Sequence, residues 1–209
     1  MILNDISIRE MIANGCIMNT EDRYVNPASL NIRLSGSYSR IKPHPDLSER
    51  GVYEKIKPIP YTLGEKPDYE TFTDDNMVIY PGEFILAATM EYFAFPNDIS
   101  GIVKGRSSIG RIGMSVQNAG FIDPGFNGTI TLELKNDSTV PIRLPKGYPI
   151  GQVIFLETML VSRPYSGKYN GQVEATGSKL HEDQLAMTKR SSQICTRTTD
   201  GWLQDGIAG

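Results

Sequence analysis

Apolar and polar residues alternate in short runs along most of this sequence, and many of these runs end at Gly or Pro. The clearest run is GTITLELKN at 128–136, in which the aliphatic side chains share one face while Thr131 and Glu133 share the other. Further apolar runs rich in β-branched and aromatic residues surround Pro81-Gly82 and Lys146-Gly147. With 20 Gly and 13 Pro in 209 residues, the sequence predicts one mainly β domain, either a sandwich or a distorted barrel.

One short helix is predicted near the N-terminus. The residues SIRE at 7–10 fit a capping box, in which Ser7 accepts a hydrogen bond from a backbone N–H and Glu10 reaches back. Apolar residues follow on one helical face, and Gly15 is expected to end the helix.

Two stretches lack this pattern. Residues 42–76 contain prolines at several positions and are expected to form a long excursion over the surface. Residues 173–209 are polar and poorly patterned, so we assign them to a C-terminal tail that could be mobile. The predicted domain therefore comprises residues 1–172.

Composition excludes several classes of partner. A net charge of −3 lacks the broad positive field that attracts nucleic-acid polymers. The first residues do not resemble a signal peptide, and no run approaches the ~20 apolar residues that span a bilayer. We therefore expect a cytoplasmic protein that binds neither a membrane nor a nucleic-acid polymer.

The sequence excludes one kind of hydrolytic chemistry and disfavours another. Cys16, Cys195, His44 and His181 are the only such residues, and zinc-dependent deamination requires a His-x-Glu and a Pro-Cys-x-x-Cys motif that this chain lacks. A Ser-His-Asp hydrolase is disfavoured because Ile109 stands where Gly-x-Ser-x-Gly requires its second glycine. Any reaction here is expected to proceed without zinc.

Four polar segments are candidates for a functional site, and each has an ordinary structural alternative. GRSSIGR at 105–111 could hold phosphate between its arginines, serines and backbone N–H groups, or form a polar turn. Glu133 could be a general base or a solvated residue on a strand, and Asp123 could stabilise a turn through its carboxylate. YSGKYNGQ at 165–172 could close over a ligand or be a flexible loop.

Taken together, several segments resemble the dCTP deaminase family of the dUTPase-like superfamily. These include MILNDISIREMIANG, NPASLNIRLSG, PGEFILAATMEYFAFPNDISGIVKGRSSIGRIG, AGFIDPGFNGTITLEL, LPKGYPIGQVIF and RPYSGKYNGQ. The resemblance covers roughly residues 1–172 apart from the excursion at 42–76. It implies a homotrimer of distorted, jelly-roll-like β-barrels with a short N-terminal helix and with active sites between subunits.

The resemblance also implies roles for individual residues. Glu133 would act as general base and then general acid, with Ser107, Arg111 and the backbone of Ala119 orienting the water and the glutamate. Asp123 would meet the deoxyribose beside the ring of Phe126. The remaining implied nucleotide-binding residues are Arg106, Ser108, Ile109, Gly110, Thr131, Leu132, Gln152, Tyr165, Lys168 and Gln172.

The implied activity is hydrolytic deamination of dCTP to dUTP and ammonia, with Mg²⁺ bound through the triphosphate and with dUTP and the inhibitor dTTP as further candidate ligands. VQNAGFID departs from the longer His-x-Thr-Ala-Gly hairpin of many deaminases, and the distance from Arg106 to Asp123 resembles that of some dUTPases. Asp123 and Gln152 therefore support an alternative, a bifunctional enzyme that forms dUMP and diphosphate. A dUTPase and a nucleotide-binding regulator without turnover are further alternatives.

Overall fold

The structure, a computed structural model, describes residues 1–42, 68–117, 120–182, 195–198 and 201–204. Among the described residues, those up to Gly177 form one compact unit and those from Ser178 onward belong to a second. The predicted division at residue 172 stays a prediction.

The first unit is built mainly from strands, as the alternating runs predict. Its helices are α1 (Asp5–Ala13), the single turn α2 (Ser107–Gly110) and a short 3₁₀ turn at Asp22–Tyr24. Its strands are β1 (Ile17–Met18), β2 (Val25–Asn26), β3 (Ser29–Ile41), β4 (Tyr69–Thr73), β5 (Asn76–Ile79), β6 (Phe84–Ala94), β7 (Ile99–Gly105), β8 (Met114–Gln117), β9 (Phe121–Ile122), β10 (Asn127–Asn136), β11 (Ile142–Pro145) and β12 (Pro149–Glu157).

In the described part of the second unit, a 3₁₀ turn at Leu180–Glu182 is followed by an antiparallel pair of strands, β13 (Cys195–Thr198) and β14 (Gly201–Gln204).

Ten strands of the first unit form one sheet in the order β8-β10-β6-β3-β12-β7-β9, with β1 added to β6 and both β2 and β4 added to β3. Strands β11 and β5 pair separately. The large sheet curls around one apolar core, which confirms the predicted mainly β, dUTPase-like fold class. Phe93, Phe95 and Phe155 lie in that core with ring centroids 5.7 to 6.4 Å apart.

The predicted helix is present, but the predicted N-cap is wrong. Asn4 is the N-cap, and its side chain accepts a hydrogen bond from the backbone N–H of Ser7 at 3.0 Å. The backbone of Ser7 is thus the donor, and the Ser7 side chain is not the cap. Asparagine caps a helix as well as serine does, and starting at Asn4 places the acidic Asp5 in the first turn, where the helix dipole favours a negative charge. Gly15 ends the helix as predicted, and its N–H donates to the carbonyl of Ile12 at 3.0 Å.

The predicted strands on either side of Pro81-Gly82 and of Lys146-Gly147 are confirmed as β5 and β6, and as β11 and β12. The excursion predicted at 42–76 is wrong in part, because Tyr69–Thr73 forms β4 and pairs with β3. Phe72 lies opposite Tyr38, and their ring centroids are 6.0 Å apart. Residues 43–67 of that excursion lie outside the described residues.

Candidate active site

The turn between β9 and β10 holds the first acid of the candidate site. Asp123 to Phe126 is closed by the N–H of Phe126 donating to the carbonyl of Asp123 at 3.2 Å, and Gly125 has a φ of +87°. Pro124 followed by a residue of positive φ is typical of a type II turn, in which glycine is favoured. Within the described residues the Asp123 carboxylate has neither a hydrogen bond nor an ion pair, so the backbone and not this carboxylate closes the turn.

Glu133 lies in the middle of β10, half-buried, on the face opposite the core. Its cross-strand neighbours are Leu86 on β6 and Gln117 on β8. Leu86 belongs to a small apolar cluster with Ala88 and Ala175 on this outer face. No described residue gives the Glu133 carboxylate a hydrogen bond or an ion pair. The carboxylate therefore lies beside apolar side chains without a counter-charge.

The segment Gly171–Gly177 covers the outer face next to Glu133. The N–H of Thr129 donates to the carbonyl of Gln172, and the Gln172 side-chain amide donates to the carbonyl of Thr129, each at 2.8 Å. Further along, the N–H of Thr176 donates to Thr131 Oγ1 at 3.2 Å. These bonds fill the edge of β10 that β8 leaves uncovered.

A glycine is required where this segment crosses β10. Gly128 has a φ of +146°, and a Cβ built there would lie 2.7 Å from the carbonyl oxygen of Gln172. No described residue donates a hydrogen bond to the buried Oε1 of Gln172, so one buried acceptor beside Thr129 is unsatisfied.

Tyr165 joins the same group of residues. Its N–H donates to the carbonyl of Pro124 at 2.8 Å, and its ring lies 6.0 Å from that of Phe126. The fold thus brings together Phe126, Tyr165 and Gln172 with the Asp123 turn and β10. Lys168 lies nearby in sequence, with Nζ 5.5 Å from the ring centroid of Tyr169.

A second group of predicted site residues lies in GRSSIGR at 105–111, the arginine and serine loop. Arg106 precedes α2, and its guanidinium donates to the carbonyl of Pro149 at 3.1 Å. Ser107, Ser108 and Arg111 are exposed, and no described residue engages their side chains. An open cavity of about 450 Å³ adjoins the loop, lined by Gly105, Arg106, Ser107, Gly110, Gly113, Met114, Ser115, Val116, Gln117 and Asp137.

One acid lines this cavity, and its charge is compensated. Lys135 Nζ lies 2.8 Å from Asp137 Oδ1, and the Ser115 hydroxyl donates to Oδ2 at 2.6 Å. The hydrogen bond from Lys135, followed by that from Ser115, lowers the pKa of Asp137 below its ordinary value. Asp137 is therefore ionised at neutral pH and paired with Lys135. Because this pair compensates the charge of Asp137, the guanidinium of Arg106 in the same cavity can attract an anion.

Two predicted site residues are buried in the core, and a third lies outside the described residues. Ile109 is 2% exposed and belongs to the apolar core, so only its backbone can face a ligand. Leu132 is fully buried on the core face of β10 and has the same restriction. Ala119 lies outside the described residues.

Gln152 lies in another part of the sheet. On β12 it pairs with Asn31 of β3 and with Lys104 of β7, and its Oε1 accepts a hydrogen bond from the Ser29 hydroxyl at 3.1 Å. The next pair along, Gly151 with Gly105, leads into the arginine and serine loop. Gln152 is therefore associated with this loop by strand pairing.

Gln117 is a candidate that the sequence did not reveal. It lines the cavity beside Arg106 and lies opposite Glu133 in the β8–β10 pair, so it connects the two groups. Nothing in the local sequence marks Gln117, because its position depends on a strand pairing with residues further along the chain.

The described residues contain no group of three or more His, Cys, Asp or Glu side chains placed to hold a metal ion. Binding of Mg²⁺ through a triphosphate stays a prediction. Among the described helices, none has the length and apolar character needed to cross a membrane.

Comparison with known proteins gives concordant results. A family model described as dCTP deaminase-like matches residues 2–158. Proteins named "dCTP deaminase, dUMP-forming" are similar to this chain: one from Sulfurihydrogenibium sp. is 37% identical over 88% of this chain and 99% of its own length. That from Aquifex aeolicus is 38% identical over 88% of this chain and 97% of its own length.

A solved structure, the 2'-deoxycytidine 5'-triphosphate deaminase from Agrobacterium tumefaciens, is similar with a TM-score of 0.55 and 23% identity. The match covers 74% of this chain and 47% of that one, which supports the fold. The names of the sequence relatives overturn one expectation. The prediction that dUTP is released as the final product is wrong, because these relatives are named for forming dUMP.

Proposed function

Because the chain belongs to the dCTP deaminase-like family, we propose that it converts dCTP to dUMP with release of ammonia and diphosphate. Two waters are consumed. One adds to C4 of cytosine and displaces ammonia, and the other attacks the α-phosphorus and displaces diphosphate. The observation that carries the proposal is that one chain holds two acids without partners among the described residues, Asp123 before β10 and Glu133 within it.

Glu133 is the proposed general base of the deamination. Its carboxylate takes a proton from the attacking water and delivers it to N3 of the ring, and a second transfer protonates the departing ammonia. The apolar neighbours Leu86 and Ala88 support this role, because partial exclusion of water strengthens electrostatic interactions with the developing charge. Ser107, Arg111 and the backbone of Ala119 are proposed to orient the water and the carboxylate.

Asp123 is the proposed base of the second hydrolysis. Its exposed carboxylate can accept a proton from the water that attacks the α-phosphorus, while diphosphate leaves with the P–O bonding electrons. Arg106 supports this step, because a guanidinium beside the cavity can bind phosphate oxygens bidentately. Ser107 and Ser108 open a helical turn whose first N–H groups have no intrahelical partner and can serve the same anion.

The remaining contacts would select the nucleoside. Phe126 and Tyr165 are in ring contact beside the Asp123 turn, which favours packing against the deoxyribose. Thr131, the backbone of Leu132 and Gln172 lie along β10 towards Glu133, where the pyrimidine would be held. Lys168, Gln152 and the backbone of Ile109 and Gly110 are proposed to contact the triphosphate. Bound Mg²⁺ would neutralise part of the charge on the phosphate oxygens.

The test is a product analysis of the purified protein. Incubation with Mg²⁺ and dCTP should release ammonia and diphosphate in equal amounts as dUMP appears, and added dUTP should also give dUMP. Accumulation of dUTP with ammonia but without diphosphate would contradict the second hydrolysis. Tight nucleotide binding without any turnover would favour a regulator instead.

A further inference from the structure

The pairing of β6 with β10 is interrupted by a bulge opposite the middle of β10. Thr129 pairs with Tyr92 and Thr131 pairs with Ala88, so Ile130 alone faces three residues of β6, Thr89 to Glu91. The regular ladder cannot continue through this bulge, because one backbone N–H of β10 has lost its place in the pairing.

A buried side chain replaces the missing ladder bond. The hydroxyl of Thr89, which is 0% exposed, accepts a hydrogen bond from the N–H of Ile130 at 2.9 Å. The same hydroxyl donates to the carbonyl of Glu91 at 2.9 Å. Thr89 therefore ties β10 to both ends of the bulge at a buried position.

A second side chain, that of Glu91, forms hydrogen bonds from the bulge to β3 on the other edge of β6. The Glu91 carboxylate, also 0% exposed, accepts from the backbone N–H of Arg33 at 2.8 Å and from its Nε at 2.7 Å. Arg33 in turn donates to the carbonyl of Asn19 and lies 4.3 Å from the ring centroid of Tyr24. The bulge is thus hydrogen-bonded to β3 through Glu91 and to β10 through Thr89.

The bulge divides the candidate site. Phe126 and Thr129 lie on the side of the Asp123 turn, whereas Thr131 and Glu133 lie on the other side. The two halves of β10 pair with the two parts of β6 on either side of the bulge, so the geometry at Ile130 sets how the half that carries Glu133 is oriented relative to the half next to the Asp123 turn. A misplacement of about 1 Å can reduce a rate about 100-fold, so this relative orientation matters for two reactions on one nucleotide.

We propose that Thr89 is a positioning residue, whose buried hydroxyl sets the relative orientation of the sugar-binding and base-binding halves of β10 and so aligns Glu133 with C4 of cytosine. This inference rests on the proposed function, since it concerns the deamination step. Thr89 does not touch the nucleotide in this proposal and acts through Ile130.

The experiment compares Thr89→Val with Thr89→Ser. Valine keeps the shape and removes the hydroxyl, while serine keeps the hydroxyl. For each variant, kcat and KM are measured for ammonia release from dCTP and for diphosphate release from added dUTP. Thr89→Val should lower kcat for ammonia release about tenfold or more, with a smaller loss for diphosphate release from dUTP. Thr89→Ser should keep the wild-type ratio of the two rates.

The ratio separates positioning from simple destabilisation, because loss of folded protein reduces both rates equally. An unchanged ratio in folded Thr89→Val, whether both rates stay or both fall together, would overturn the proposal. Should Thr89→Val fail to fold, Thr89→Cys replaces it. Cysteine matches serine in shape, but its thiol is a weak hydrogen-bonding group, so the ratio should shift in the same direction. A wild-type protein that releases neither ammonia nor diphosphate would refute the proposed function, which is a different result.

Discussion

A single substitution, Glu133→Gln, should separate the two hydrolyses. Glutamine keeps the size of the side chain but cannot take a proton from water, so ammonia release from dCTP should fall by about 10²- to 10⁴-fold. Diphosphate release from added dUTP should remain within a few-fold of wild type, because that step depends on Asp123. Glu157→Gln, at an exposed strand end, is the matched control and should behave as wild type. Ammonia release by Glu133→Gln at the wild-type rate would refute the assigned base.

Asp123→Asn is the complementary change. Ammonia release should persist, and dUTP should accumulate because the second water is no longer deprotonated, with diphosphate release reduced by about 10²-fold or more. The type II turn should survive, since the backbone closes it and the carboxylate takes no part. Chromatography of the nucleotides over time distinguishes the outcomes. Unchanged dUMP formation would remove Asp123 from the second step.

At these two residues, the sequence alone could not choose between a functional and an ordinary role. Alternation placed Glu133 on the polar face of its strand, which is correct, but it could not show the apolar cluster with Leu86 that lies beside it. Turn chemistry suggested that the Asp123 carboxylate stabilises its turn, whereas the backbone does so. Both differences arise from contacts between distant parts of the chain, which a local pattern does not contain.

Among the elements of the fold, the C-terminal segment on β10 depends on Gly128. Gly128→Ala would place a Cβ 2.7 Å from the carbonyl oxygen of Gln172 at a φ of +146°, which side chains rarely tolerate. We expect the segment to leave β10, which should raise KM for dCTP about tenfold and lower stability by about 1–3 kcal/mol.

The matched control is Gly171→Ala, since Gly171 also has a positive φ of +79° but has open space around its Cβ position. It should show the cost of backbone strain alone. Limited proteolysis between residues 160 and 177 provides a direct measurement. Equal KM values and equal cleavage rates for the two variants would show that the close approach at Gly128 is unimportant.

The elements themselves were more predictable than their junctions. Alternation and Gly/Pro turns located β5, β6, β10, β11 and β12, because these signals are local. The bulge at Thr89 was not predicted, since nothing in β6 itself shows that Ile130 faces three residues. The helix itself was predicted, but its start was misplaced. Asn4 and Ser7 are both good N-cap residues, and the local sequence does not show that Asn4 is the one used.

At the scale of the whole molecule, one buried tyrosine should influence stability in alkaline solution. Burial, together with the charges of Asp74 and Asp75, raises the pKa of Tyr38 to about 12, and no described residue forms a hydrogen bond with its buried hydroxyl. The folded pKa lies above the unfolded value, so the stabilising contribution is complete below pH 10 and is lost as pH rises from about 10 to about 12.

Tyr38→Phe should therefore flatten the decline in stability between about pH 10 and pH 12 by about 2–3 kcal/mol. At pH 7 the variant should be as stable as wild type or about 1 kcal/mol more stable, because it removes an unsatisfied hydroxyl. Denaturant unfolding across this pH range measures both effects. Tyr148→Phe, at a partly exposed tyrosine, should follow the wild-type curve. Parallel curves for wild type and Tyr38→Phe would contradict the argument.

Assembly of three chains would complete the candidate site, because residues of two subunits would contribute to it. Ile112 and Phe121, 50% and 54% exposed, adjoin Arg111 and the Asp123 turn, so a neighbouring chain could cover apolar surface next to the candidate site. Arg111 makes no ion pair with Glu133 or with any other described residue. We propose that Arg111 and Glu133 meet across a subunit interface in an assembly of three chains, for which light scattering should give a mass of three times 23.2 kDa.

Mixing two inactive variants tests this arrangement. Glu133→Gln and Arg111→Ala should each fail to release ammonia alone. After joint unfolding and refolding in equal amounts, random assembly would give about a quarter of the sites an intact arginine from one chain and an intact glutamate from its neighbour. Ammonia release should therefore recover to about a quarter of wild type. If both residues serve a site within one chain, every site contains a defect and no activity returns, and a mass of 23.2 kDa would exclude shared sites altogether.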